Sequence, residues 1–187
     1  MQKSMKNISL FFFSLIIVAA ITSGCNSEKA ADSPTSVQSN DIGKLSKSNS
    51  AQLQKELALA RSSTAKYHRI EKAIEDGYVD INVVVQHMGY HLLKIENWDA
   101  FDPGKPALLV YSKNPVNGKM RLVAVEYAVP NTGQAPEGFT GNEDEWEYDG
   151  DINKWECHAW VWYNNPHGIF SKYNPRVQVD PGDVNHP

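Results

Sequence analysis

The sequence predicts an α+β domain: an N-terminal amphipathic helix packed on a small, mainly antiparallel sheet that curves toward a partial barrel. Three observations lead there. Residues 50–77 carry apolar side chains at helical spacing. "PALLVYSKNPVNGKMRLVAVEYAV", from Pro106, reads as two apolar strands around a turn. "CHAWVWYNNPHG", residues 157–168, alternates large side chains in a further strand.

The helix rests on Leu53, Leu57, Ala60, Thr64, Tyr67, Ile70 and Ile74, which follow one another at steps of three and four and form one stripe. Ser50 suits the N-cap and Gly77 the C-terminal stop. "SST" at 62–64 is a weak point where the helix divides, and His68 sits beside the stripe, in solvent. "YVDINVVV" then reads as a short β-branched strand. Asn117-Gly118 is the strongest short hairpin signal, between strands at 107–113 and 119–129. With those two as the loop residues, Leu109 faces Glu126 and Tyr111 faces Ala124. Pro130 ends the strand, a long loop fills 131–153, and the next strand runs from Trp155 to Tyr163. "NNPHG" turns out of it, "IFSKY" suits a short helical turn, and an irregular tail follows.

The chain of 187 residues is long enough for one domain with a core, placed at 51–187. Its first part reads differently. Lys3 and Lys6 precede an apolar run from Ile8 to Ile21, short of the roughly 20 residues that span a bilayer but laid out as an export signal over residues 1–24. "ITSGCN" resembles the lipobox of bacterial lipoproteins, with Ser23 and Gly24 before Cys25, although Thr22 stands where that motif favours Leu. The reading makes Cys25 the lipidated (palmitate-bearing) first mature residue and attaches the protein to membrane by an N-terminal lipid anchor. Asn26 is compatible with transfer to the outer membrane of a Gram-negative envelope. Cleavage near "VAA" would instead release a soluble protein with a free Cys25. Residues 25–50, rich in Ser, Asn, Asp and Lys, are expected to form a disordered tether. Cys157, the second of two cysteines, is expected to be a small buried hydrophobe. The net charge of −4 grows more negative when Lys3 and Lys6 leave with the signal, which excludes a polybasic nucleic-acid or lipid surface.

Alternate side chains of a strand share a face. His158, Trp160 and Trp162 therefore fall together, opposite Cys157, Ala159, Val161 and Tyr163. Glu126 shares its face with Leu122, Ala124 and Ala128. His91, in "QHMGYHLL", follows Gly89, which permits close backbone approach. Two imidazoles and a carboxylate from three strand-like segments, His91, Glu126 and His158, are the donor set of a zinc or non-heme iron site with open positions. A purely structural reading also stands: Glu126 facing water, His158 hydrogen-bonded in the core, His167 exposed in a turn. Asp149, Asp151 and Asn153 begin like a calcium loop, but Lys154 replaces the needed Gly and Trp160 the needed Glu, which excludes an EF-hand. Trp160, Trp162 and Asn165 suggest an aromatic cleft for a small-molecule ligand.

The elements "EDGYVD", "HMGYH", "RLVAVEYAVP" and "HAWVWYNNPHGIFSKYNPRV" resemble a family of uncharacterised exported bacterial proteins, many of them secreted or lipid-anchored. The resemblance spans Ala65 to Val177. It implies an extracytoplasmic place in the cell envelope and marks His91, Glu126 and His158 as the positions to test first, without transferring a role to them.

Two function classes follow. One is a small-ligand binding or interaction module with an aromatic cleft. The alternative is a metal-dependent enzyme built on His91, Glu126 and His158. For the anchor, Cys25→Ser should abolish radiolabelled-palmitate incorporation and move the protein from the membrane to the soluble fraction. Unchanged sedimentation with membranes would exclude lipidation at this residue.

Overall fold

The computed structural model describes residues 39–186, with the side chains of the first helix described from Asn49. The predicted signal, Cys25 and tether residues up to 38 lie outside the described residues. Helix α1 runs over Ser39–Thr64, so residues 39–50 are helical and not the disordered tether that composition suggested. Once a helix is nucleated, each added residue gains a hydrogen bond without a new nucleation cost, so polar sequence extends it readily.

The stripe buries Leu53, Leu57, Ala60, Thr64 and Tyr67. The helix ends at "SST" as expected. Ser62, Ser63 and Thr64 each turn a hydroxyl back to a carbonyl three or four residues earlier, which competes with helix continuation. A 3₁₀ turn, Ala65–His68, follows, and then α2, Ile70–Glu75. This break rotates the stripe. Ala73 is buried in place of Ile74, which is exposed against expectation. Gly77, at φ +92°, ends the helical region as the sequence implied.

Six antiparallel strands follow: β1 Val79–Val85, β2 Gly89–Leu93, β3 Leu108–Lys113, β4 Met120–Pro130, β5 Glu147–Asp149 and β6 Lys154–Ala159. They form one sheet in the order β1-β2-β3-β4-β6-β5, curved into a half-barrel with the helix on one face. The α+β class is as the sequence predicts. None of the described helices is long and apolar enough to cross a membrane.

The helix-side core joins Leu53, Leu57 and Ala60 to Leu109, Tyr111, Val125 and Tyr127. Cys157 lies there too, free and buried as expected. Tyrosine hydroxyls on this face are satisfied: Tyr111 donates to the Tyr67 carbonyl at 2.7 Å and Tyr127 to that of Pro103 at 2.9 Å.

The register of β3 against β4 differs from the two-residue hairpin expected. Leu108, not Leu109, faces Glu126, and Val110, not Tyr111, faces Ala124. The loop is longer: Asn114 bonds Lys119, Gly118 closes back on the Asn114 carbonyl, and the Asn114 side chain accepts from Val116 and Asn117. Between Ala124 and Leu122 the pairing slips by one residue, leaving Val123 as a bulge. Leu122 consequently joins Val125 and Tyr127 on the helix side, not Glu126 as strict alternation would have it.

The predicted long loop contains β5, which pairs with β6. β6 ends at Ala159, short of the predicted Tyr163, because Val161 N–H turns back to the Ala159 carbonyl and Trp160 N–H bonds Ile169. The tail lacks regular structure yet is packed. Val177 and Val179 are buried, Asn174 N–H bonds the His87 carbonyl, and His186 forms a single bridge to Val85.

Gly89 holds φ +130°, and a Cβ there would overlap the Tyr111 carbonyl oxygen and stand 3.0 Å from Val110 Cγ1. Neither obstacle is a flexible side-chain end. Gly89→Ala should therefore cost roughly 3 kcal/mol or more in urea unfolding. A loss below about 1 kcal/mol would show that β2 does not need this close approach.

Candidate metal centre

The bulge at Val123 leaves Ala124, Glu126 and Ala128 on the sheet face away from α1. In the neighbouring strand Glu126 pairs directly with His158, and one strand beyond β3, His91 pairs with Val110. The three side chains thus meet on one face, from β2, β4 and β6. They are 3 %, 2 % and 4 % exposed, for His91, Glu126 and His158 in turn. Small residues at 124 and 128 leave Glu126 room between them.

Glu126 Oε2 lies 3.7 Å from His91 Nε2 and 3.5 Å from His158 Nε2. All three ligand atoms lie within 4.8 Å of one another. Glu126 Oε2 and His158 Nε2 have no hydrogen-bond partner, although both are sealed from solvent. His91 is oriented by its other nitrogen. Its Nδ1 lies 3.0 Å from the Val83 carbonyl, which only accepts, so Nδ1 carries the proton and Nε2 presents a lone pair toward Glu126. A break in the β1–β2 register between Asp80 and Val83, with Asn82 at φ 55°, positions that carbonyl. Trp160 lies parallel to His158, ring centroids 6.1 Å apart, and donates its Nε1–H to the Ser171 carbonyl at 2.6 Å.

Burial dominates the electrostatics. It pushes His91 down to about 4 despite the Val83 carbonyl, and His158 down to about 3 with help from the charge of His91. It holds the Glu126 carboxyl well above the ordinary range, reinforced by the Glu156 charge. Both imidazoles are neutral and free to act as ligands at neutral pH. A tetrahedral ion with bonds of about 2.0–2.2 Å separates its ligand atoms by roughly 3.3–3.6 Å, and an octahedral one by about 3.0 Å between neighbours. The 3.5 Å separation from His158 falls within the first range, and the 3.7 Å separation from His91 lies just beyond it. The cluster can hold a metal ion.

The aromatic residues do not share one wall. Trp160 belongs to this face, packed with Val110, Val123, Ala124 and Val177. Trp162 turns to the helix side, where its Nε1–H donates to Thr64 Oγ1 at 3.0 Å and its ring meets exposed His68 edge-on. The end of β6 at Ala159 breaks the alternation that would have aligned them. Asn165 is buried and spent on the backbone, donating to the Tyr173 carbonyl and accepting from His167 N–H. His167 is exposed in its turn, as expected. The calcium-like stretch is the β5–β6 turn: Asp149 Oδ1 accepts from Asp151 and Ile152 N–H, and Asn153 Oδ1 from Asn131 and Tyr148. Sequence reading missed Glu156, two residues before His158 on the same strand face. The alternation Lys154, Glu156, His158 was the signal for it.

In the metal-free protein these groups set a pH window. The unfolded histidines protonate near 6.5, and the folded ones resist until about 4 and about 3. Their contribution is full above pH 6.5 and is lost as the pH falls. Glu126 has the opposite sign: the unfolded carboxyl ionises above 4.5 and the folded one keeps its proton, so it lowers stability as pH rises. Glu156, which burial raises to about 7, adds a second carboxyl of the same sign. Between 4.5 and 6.5 two carboxyls therefore offset two histidines, and these four groups should leave the stability of the metal-free protein nearly flat with pH; Glu156→Gln should unmask a loss of up to about 1.4 kcal/mol per pH unit on acidification through that window, read by urea titration. Glu126→Gln should be more stable than metal-free wild type at pH 8, on the order of 1–3 kcal/mol, since its amide can donate to His158 Nε2 without a buried ionisation. A destabilised Gln variant at that pH would contradict this account. Set beside family models, curated proteins and solved structures, the chain finds no match in any of them.

Proposed function

We propose that this domain is a small-ligand binding module whose ligand is one divalent metal ion, held by His91 Nε2, His158 Nε2 and Glu126, and that it serves in the cell envelope on a lipid anchor at Cys25. The observation that carries the metal is the pair of sealed, partnerless atoms, Glu126 Oε2 and His158 Nε2, at 3.5 Å. That distance is long for a strong hydrogen bond and suited to sharing a cation. A buried polar atom without a partner costs about 1–3 kcal/mol, and a dication relieves both at once.

Two imidazoles and one carboxylate would suit zinc(II) or iron(II), with open positions left for water. His91, Glu126 and His158 are all almost wholly buried, which leaves no open approach for an organic substrate and supports binding over turnover of a metabolite. The envelope location is supported by the lipobox-like "ITSGCN" and the apolar run before it.

Elemental analysis of the purified protein, followed by zinc titration of the chelator-treated form, tests the reading. One ion per chain is expected. His158→Ala and Glu126→Gln should each weaken binding on the order of a hundredfold or more. The proposal fails if the metal-free protein takes up neither zinc nor iron(II) stoichiometrically.

A further inference from the structure

The sheet face away from α1 also carries a cavity of about 250 Å³, between the β3–β4 hairpin and the tail. Its lining brings together Lys113, Arg121 and Arg176 without one carboxylate, in a chain of 18 basic against 22 acidic residues. Lys113 is already matched, by Asp180 and Asp183. Arg121 and Arg176 are not: among the described residues neither guanidinium is in an ion pair. Neutral groups hold them instead. Arg121 stacks over the Tyr163 ring, its Cζ 4.3 Å from the centroid, and Arg176 Nη1 donates to Asn164 Oδ1 at 2.6 Å.

The backbone around the cavity fixes both. Val123, the bulged residue of β4, is part of the lining. With Leu122 turned to the helix side, alternation places Arg121 on the opposite face; an unbroken β4 would have put it with Val125 and Tyr127. On the tail side Asn174, 0 % exposed, spends its amide on the turn that carries Arg176. Its Oδ1 accepts from Arg176 N–H at 3.1 Å, and its Nδ2 donates to the Asn164 carbonyl at 3.3 Å. One buried side chain thus sets both Arg176 and the asparagine that steadies its guanidinium. Held by neutral partners and exposed to solvent, the two guanidiniums keep their charge and free N–H groups for an outside acceptor.

We infer that this cavity is an oxyanion site for a small soluble phosphomonoester, its phosphate gripped by Arg121 and Arg176 and its organic part filling the remaining space beside Gln178. Planar guanidinium forks match phosphate oxygens pairwise. A phosphate dianion balances the two unmatched charges, which a monocarboxylate does not. A cavity of about 250 Å³ is smaller than the usual site for a drug-sized ligand, which suits a phosphate on a body of a few carbon atoms. None of these residues belongs to the metal centre, so the inference stands apart from that reading.

The test is calorimetric titration of the purified full chain with glycerol 3-phosphate at low ionic strength, with acetate as the monoanion control. Saturable binding of one molecule per chain is expected, and none of acetate. Arg121→Ala and Arg176→Ala should each weaken binding roughly tenfold or more. Arg121→Lys should weaken it too, because an ammonium keeps the charge and loses the fork. Lys55→Ala, which removes one charge from the exposed surface of α1, should leave binding unchanged. All four variants should melt as the wild type does. Failure to saturate, an equal loss in Lys55→Ala, or full binding in both alanine variants of the arginines overturns the inference. Retention on phosphatidic acid vesicles without binding of glycerol 3-phosphate overturns it as well, by placing the phosphate on a lipid.

Discussion

A carboxyl group in the middle of the sheet, with one oxygen that no protein donor reaches, governs the chemistry of this molecule. Glu126 lies on β4, between β3 and β6, almost wholly out of water. Ionised and alone there, it would cost several kcal/mol. The metal-free fold therefore keeps its proton on and keeps the adjoining imidazoles neutral. Such a cluster is poor at stabilising a protein. It is well suited to an ion that binds deprotonated carboxylate and neutral imidazole, because the ion reverses the preference of Glu126 while asking nothing of the histidines.

Backbone irregularities create this cluster. In an unbroken β4, Leu122 and Glu126 would share a face, and either an apolar side chain would leave the helix-side core or the carboxyl would enter it. The bulge at Val123 lets both go where their chemistry directs. The break before Val83 supplies the carbonyl that fixes the His91 ring, and Gly89 brings β2 tight against the β3 backbone two residues earlier. Three strands are thus displaced from ideal geometry around one point, which is the pattern expected where function and not stability sets the backbone.

Periodicity carried the reading of the fold as far as local hydrogen bonding let it. The stripe from Leu53 to Tyr67 and the apolar strands on either side of Asn117-Gly118 were legible because burial repeats at the helical and strand periods. Ile74 was misread because a 3₁₀ turn of four residues rotated the stripe. The hairpin register was misread because Asn114 captured two backbone N–H groups and lengthened the loop. Glu126 and His158 could be placed on strands from the sequence, but their direct pairing is the register of β6 against β4, set across a connection of more than twenty residues that no local pattern specifies. Trp162 was lost to the cleft for a related reason: the strand ends at Ala159 through contacts with Ile169, ten residues on.

The two sides of the sheet therefore perform different work. Toward the helix, leucines, valines and tyrosines bury their surface, and every tyrosine hydroxyl described above finds a carbonyl. Away from it, the face is closed by Trp160 and by an irregular tail held through Asn174, Asn185 and the buried Val177. A tail without regular structure is an unusual cover for a cluster that must stay dry, since its hydrogen bonds are made to the sheet one at a time and not along a ladder. It is nevertheless pinned where it passes His158, because Trp160 donates to the Ser171 carbonyl and Asn165 to that of Tyr173, on either side of Lys172. Strands that aim the three side chains and a tail pinned at single points thus share the work of sealing the cluster from water.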